Sequence, residues 1–114
     1  MRPEELFIHD SVIKSVTDNP DTDEVTFNIN WLKDWDNNIY VDADLIFSDV
    51  LFYEVHEGPF SGKPSILSII EDGHRTDNGV ERIKYKIETN AGYRVLFCTG
   101  MNLIDNSSDV QQAD

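Results

Sequence analysis

Residues 39–56 read IYVDADLIFSDVLFYEVH and carry the clearest strand signal in the chain. The first half of this stretch alternates apolar and polar side chains, which is typical of a strand with one buried and one solvated face. Its apolar positions are Val41, Ala43, Leu45 and Phe47, and its polar positions are Asp42, Asp44 and Ser48. The alternation slips at Ser48-Asp49, and an apolar run over residues 50–55 follows. The stretch therefore predicts a strand, a bulge or tight bend, and then a second strand buried on both faces.

Similar signals occupy most of the remaining chain. Apolar residues alternate or cluster over residues 11–17, 24–31, 80–89, 93–98 and 101–104. The sequences NPD at 19–21, DNG at 77–79 and NAG at 90–92 are typical of turns. Residues 65–71 fit a helix or a strand, and we expect a strand because the neighbouring segments are antiparallel strands. The pattern predicts an all-β fold of about seven to eight strands, as an antiparallel sandwich or a partly open barrel.

The chain has 114 residues, which is a natural length for one domain. We expect a single all-β domain over residues 1–104, with a short helical turn over residues 3–8, and a disordered polar tail over residues 105–114.

No apolar run approaches the roughly 20 residues of a membrane helix, and the N-terminus lacks a signal-peptide pattern. Cys98 is the only cysteine, so an internal disulfide is excluded. The simplest expectation is a cytoplasmic protein.

The chain is strongly acidic, with 22 Asp and Glu against 9 Lys and Arg and a formal net charge of −13. Residues 1–60 alone carry 14 acidic and 3 basic side chains. Such a surface repels nucleic acid and anionic lipid and attracts basic proteins. We therefore expect a basic protein partner rather than nucleic acid or a membrane. The alternative is that the acidity only keeps a small domain in solution.

No motif in the sequence predicts catalysis or a cofactor. Residues 34–38 (DWDNN) begin like a calcium loop, but Ile39 stands where that loop needs glycine and Leu45 where it needs glutamate. His9, His56 and His74 match no metal-binding spacing. An enzyme would require two of these histidines to converge with a carboxylate. We expect no catalytic residue, no cofactor and no metal.

Surface recognition is the remaining possibility. Aromatic side chains surrounded by charge of one sign are typical of a protein-binding patch. We expect the partner-binding residues to be Asp34, Trp35, Asp36, Tyr40, Asp42 and Asp44. We also expect the basic side chains to gather on the outer face of the hairpin at residues 80–98, namely Arg82, Lys84, Lys86 and Arg94.

Two alternatives stay open. Trp35 could simply close one end of the sandwich. A second function class is a small-ligand-binding β-barrel, whose interior pocket would be lined by Phe27, Phe47, Tyr85 or Phe97.

The order of three segments supports a resemblance. These are LFIHDS at residues 6–11, a strand ending at Trp31, and LIFSDV at residues 45–50. In this order the chain resembles small bacterial proteins, some of which are similar to immunity proteins encoded beside polymorphic or contact-dependent toxins. The resemblance covers most of residues 6–104. It implies an all-β fold and a protein-binding role, with no catalytic residues to carry over.

Overall fold

The computed structural model describes residues 8–107. Eight strands form one antiparallel sheet in the order β4-β7-β6-β5-β1-β2-β3-β8. They are β1 Ser11–Asn19, β2 Glu24–Asp34, β3 Ile39–Ser48, β4 Phe52–Glu57, β5 Ser65–Asp77, β6 Val80–Thr89, β7 Gly92–Cys98 and β8 Gly100–Asp105. The predicted all-β class is confirmed. None of the described residues belongs to a helix with the length and apolarity needed to cross a bilayer.

The sheet folds into two facing halves. β1, β2, β3 and β8 form one half, and β5, β6, β7 and β4 form the other. Only two residue pairs join the halves through β1 and β5. Ring contacts then cross the interior, with centroid distances of 5.8 Å between Phe27 and Tyr53 and 5.8 Å between Phe47 and Tyr85. Since the sheet does not close on itself, the architecture fits the predicted sandwich or partly open barrel.

Local sequence signals place the turns correctly. β5 and β6 are joined by Asn78 and Gly79, whose φ angles are 51° and 78°. Positive φ at both positions is the requirement of a type I′ hairpin turn, which asparagine followed by glycine meets at low cost. The ambiguous residues 65–71 lie in a strand, as expected, and that strand continues for 13 residues in all.

The prediction for residues 39–56 is confirmed in its first half and wrong in its second. In β3, Ala43, Leu45 and Phe47 are fully buried, and the strand ends at Ser48. β4 is not buried on both faces, because it is the terminal strand of the sheet and 50% of Val55 is exposed. The apolar run reflects two separate contacts, since Tyr53 packs on Phe27 in the interior and Phe52 packs on Phe97 outside it.

β7 has the opposite orientation to the one predicted. Its ladder with β6 places Leu96 opposite Tyr85 in the core, and Phe97 opposite Lys84 on the outer face. Arg94, expected outside, therefore points inward and is only 9% exposed. Three successive apolar residues at 95–97 fit either orientation, so the local pattern does not distinguish them.

The two predicted ends of the chain fall largely outside the described residues. Of the helical turn expected at residues 3–8, only Ile8 is described, and it is buried. The tail was expected to begin at residue 105. Asp105 instead ends β8, and its Oδ1 accepts a hydrogen bond of 2.9 Å from the Ser107 backbone N–H. Residues 108–114 lie outside the described part.

Candidate protein-binding surface

The β2–β3 hairpin carries the predicted binding residues at its tip. β2 ends at Asp34 and β3 begins at Ile39, so residues 35–38 form the turn. Asn37 donates to the Asp34 carboxylate from its backbone N–H at 3.2 Å and from its side-chain amide at 2.8 Å. These bonds, the side-chain one first, hold the pKa of Asp34 below its ordinary value. Asp34 thus closes the turn rather than opening a calcium loop.

Three large apolar side chains stand out from this tip. The exposed fractions are 50% for Trp35, 46% for Ile39 and 41% for Tyr40. Asp36 lies in the same turn and is also exposed. The Trp35 ring lies 6.0 Å from the His9 ring. The tip therefore combines exposed apolar area with negative charge, and we call residues 34–40 the acidic hairpin tip.

Ile39 also belongs to this surface and is not among the residues predicted from the sequence. The sequence contains a signal for this exposure. An isoleucine directly after a polar turn is the first residue of its strand, and that end of the strand lies outside the core. In the ladder it lies opposite Asp34, at the last pair before the turn. The interior ends below this pair, so an apolar side chain there remains in solvent.

Asp42 and Asp44 lie further along β3 and are held by their own chain. The Asn28 side-chain amide donates to Asp44 Oδ1 at 2.8 Å and to Asp42 Oδ1 at 3.2 Å. The Asn106 amide donates to Asp42 Oδ2 at 2.7 Å and to Asp44 Oδ2 at 3.3 Å. Lys14 also pairs with Asp42. These bonds, with Lys14 contributing most, keep the pKa of Asp42 below its ordinary value.

The two asparagines offset the repulsion that two carboxylates on one strand face would otherwise suffer. The sequence pattern predicts partner contact for Asp42 and Asp44 and does not connect them with Asn28 or Asn106. Asn28 comes from β2 and Asn106 follows β8, so only the β2-β3-β8 ladders bring them together. We call Asp42, Asp44, Asn28 and Asn106 the carboxylate clamp.

Substituting Asn28 with alanine should expose the repulsion within this clamp. We expect the free energy of unfolding to fall by about 1–2 kcal/mol near neutral pH, because two ionised carboxylates lose a shared donor. The deficit should shrink in acid as Asp42, whose pKa the clamp and Lys14 hold below its ordinary value, becomes protonated. Urea unfolding at both pH values measures it. Asn30→Ala is the matched control, since Asn30 lies on the same strand face and takes no part in the clamp; equal losses for both variants would contradict this role.

The four basic side chains expected on one face are divided between several environments. The Arg82 side chain donates to the Asp49 carbonyl at 3.0 Å and to its carboxylate at 3.1 Å. Lys84 lies 3.4 Å from Asp72, and Lys86 lies 4.8 Å from the centroid of the Tyr93 ring. Arg94 is buried, and the Arg82 side chain is only 12% exposed and pairs with Asp49. The predicted basic face is therefore reduced to its two lysines.

The histidines also lie apart. Each one contacts its own carboxylate: His9 with Asp10 at 3.2 Å, His56 with Glu54 at 3.2 Å, and His74 with Glu81 at 3.1 Å. Within residues 8–107, no three His, Cys, Asp or Glu side chains are grouped so that they could hold a metal ion. The arrangement thus brings no two of the histidines to a shared carboxylate.

Of the four residues expected to line a pocket, Phe27, Phe47 and Tyr85 pack against one another in the core, and Phe97 lies outside it. Phe27 and Phe47 pack edge to face at 5.5 Å, Phe47 packs on Tyr85, and Phe97 lies on the outer face.

Cys98 is fully buried, which raises the pKa of its thiol to about 12. Its sulfur donates to the Gly100 carbonyl at 3.5 Å, so the thiol is protonated and unreactive at neutral pH.

The acidic hairpin tip thus combines three exposed apolar side chains with the exposed carboxylate of Asp36. No protein-family model matches the chain, and a search of curated proteins finds no match.

Proposed function

We propose that this chain is a non-enzymatic, cytoplasmic protein-binding domain of the immunity type, which neutralises a basic toxin domain. The observation that supports the proposal is the acidic hairpin tip, where Trp35, Ile39 and Tyr40 stand half exposed beside Asp34 and Asp36. Tryptophan and tyrosine dominate the binding energy of protein interfaces because they bury large areas with few rotatable bonds.

The negative charge of the chain indicates which kind of partner it would bind. A net charge of −13 attracts a basic protein and speeds its encounter, and this attraction weakens with added salt. A basic nuclease is a suitable target, because its active site is built to receive phosphates and carboxylates can occupy the same positions. The proposal therefore places the aromatic side chains at the centre of the contact and the carboxylates around them.

The clamp changes the role given to Asp42 and Asp44. Their oxygens already accept bonds from Asn28 and Asn106. Asp36, at the tip, remains the more available carboxylate for a partner's cation. We therefore assign the direct contacts to the tip, and a longer-range electrostatic contribution to Asp42 and Asp44.

Replacing Trp35 with alanine should weaken partner binding by about 2 kcal/mol or more, roughly 30-fold, if Trp35 is a central anchor. The chain, immobilised as bait, is first used to capture basic proteins from an extract of its source cell at low salt. The captured protein is then titrated by calorimetry with wild-type and variant chains.

Leu51→Ala is the matched control. Leu51 is exposed to a similar extent, and it lies beyond the far end of β3 from the hairpin tip. Its variant should bind like the wild type. Capture of no basic protein, or an equal loss for both variants, would count against the proposal.

A further inference from the structure

β4 presents an unpaired edge with little protection. Within residues 8–107, its only ladder is with β7, in unbroken register from Phe52 to Glu57. Natural edge strands are commonly protected by short length, charged side chains, proline or a bulge in the strand. β4 is short and carries Glu54 and Glu57, but it contains no lysine or proline, and half of Val55 is exposed at its centre.

β4 is held rigidly against its neighbour β7. The Glu57 carboxylate receives two bonds of 2.8 Å from the Arg94 guanidinium and one of 3.0 Å from Thr89. Gly92 lets the two strands approach closely, since a Cβ at that position would lie 2.2 Å from the His56 carbonyl oxygen. A strand fixed in this way loses little conformational entropy when a further strand pairs with it.

The hydrogen-bond pattern shows which backbone groups point outward. The Gly58 N–H donates to the Ala91 carbonyl at 3.1 Å, in register with the β4–β7 ladder. Because bonded pairs alternate along antiparallel strands, the backbone groups of residues 52, 54 and 56 face β7. Those of Tyr53, Val55 and Glu57 face away from the sheet.

We propose that β4 pairs with β4 of a second copy of this chain, antiparallel and about a two-fold axis at Val55. In this register Val55 lies opposite the second copy's Val55, and Tyr53 opposite the second copy's Glu57. All the outward N–H and C=O groups of these residues then meet a partner. The interface is self-complementary, as two-fold symmetry requires.

Side-chain hydrogen bonding favours the same register. Glu54 comes to lie opposite the second copy's His56, and His56 opposite its Glu54. Both pairs fall at non-hydrogen-bonded positions, where side chains across antiparallel strands are closest. Within one copy, Glu54 already lies 3.2 Å from His56, and His56 stacks on Tyr93 at 4.8 Å. Around the two-fold axis, each Glu54 of one copy therefore has a His56 of the other copy as its neighbour across the strands.

The neighbouring registers are worse. Moving the axis to Glu54 places the two Glu54 carboxylates opposite each other, which is repulsive. Moving it to His56 places Tyr53 opposite the second copy's Pro59, which has no N–H to donate. Charge and backbone bonding thus select the Val55-centred pairing together.

The pairing should be weak and should tighten with added salt. One short strand pair buries less than a standard interface, and two chains of net charge −13 repel each other at low ionic strength. This salt dependence is opposite to that of the basic partner at the hairpin tip, so the failure of one proposal is distinguishable from that of the other.

Sedimentation equilibrium over a concentration series tests the proposal. The mean mass of the wild type should rise from 13.1 kDa towards twice that value and no further. Val55→Pro removes the outward N–H without touching the bonds to β7, a place where an edge strand tolerates proline. This variant should remain monomeric with an unchanged circular dichroism spectrum, while Val55→Thr, which keeps the N–H, should still dimerise.

A charge exchange tests the register independently of proline. His56→Glu places carboxylates opposite each other twice and should weaken dimerisation about ten-fold or more. Adding Glu54→His to the same chain restores the two Glu–His pairs and should recover most of the loss. A wild type that stays monomeric, assembles beyond the dimer, or dimerises equally well as Val55→Pro would overturn the proposal, as would a double exchange that fails to recover.

Discussion

Replacing Phe27 with alanine is expected to lower the free energy of unfolding by about 3–5 kcal/mol, which is a large part of the stability of a domain this size. Phe27 is fully buried and links the two halves of the sheet. Its ring contacts Phe47 at 5.5 Å and Tyr53 at 5.8 Å, and the Arg94 guanidinium lies 5.7 Å from its centroid. The substitution removes these contacts and leaves a cavity that the surrounding strands fill only partly.

Chemical unfolding followed by tryptophan fluorescence measures this loss. Phe60→Ala is the control, because Phe60 is also a phenylalanine but lies exposed in the loop after β4. Its substitution should change stability by no more than about 0.5 kcal/mol. A loss for Phe27→Ala as small as this would mean that the two halves of the sheet do not depend on their aromatic contacts.

Removing Arg94 is the second large effect. The side chains of Arg94 and Glu57 are only 10% and 12% exposed, and Arg94 also donates to the Tyr53 hydroxyl at 3.2 Å. Arg94→Met keeps much of the side-chain volume but leaves a nearly buried carboxylate without its cation. We expect a loss of about 3 kcal/mol near neutral pH, since breaking one partner of a buried pair costs more than the pair contributes.

Acid should reduce this loss, and the sign follows from Glu57. The hydrogen bonds from Arg94 lower the pKa of Glu57 below its ordinary value of 4.5. In the wild type, the stability that this pair contributes is fully present above pH 4.5 and is lost as the pH falls through the lowered folded-state pKa. In Arg94→Met, protonation instead relieves the unpaired carboxylate. The stabilities of the two proteins should therefore converge as the pH falls below about 4.5.

The variant Glu57→Gln separates pairing from burial. Combined with Arg94→Met it removes both charges, and the double variant should be more stable than the sum of the two single losses allows. Thermal unfolding of the four proteins at neutral pH gives this coupling. Additive losses would mean that Arg94 and Glu57 stabilise the sheet independently, contrary to the bidentate geometry observed.

The candidate site was partly predictable from sequence. Trp35 and Asp36 lie in a polar turn that follows a strand, and Tyr40 lies at the start of the next strand, so this local pattern is enough to place them on a hairpin. The partners of Asp42 were not predictable, because Asn28 and Asn106 reach it only across two separate strand ladders. Ile39 could have been included, since its neighbours in the turn are polar.

The sequence by itself determined the strands, their turns and the buried face of β2, β3 and β6. Two-residue periodicity is a local property of the sequence, so it can be recognised without knowing which strands are neighbours in the sheet. Only the tertiary structure decided that β4 lies at an edge and that β7 turns Arg94 inward. Strand order and the orientation of an all-apolar run depend on distant pairings, here those of β7 with β6 and β4, which no short window of sequence contains.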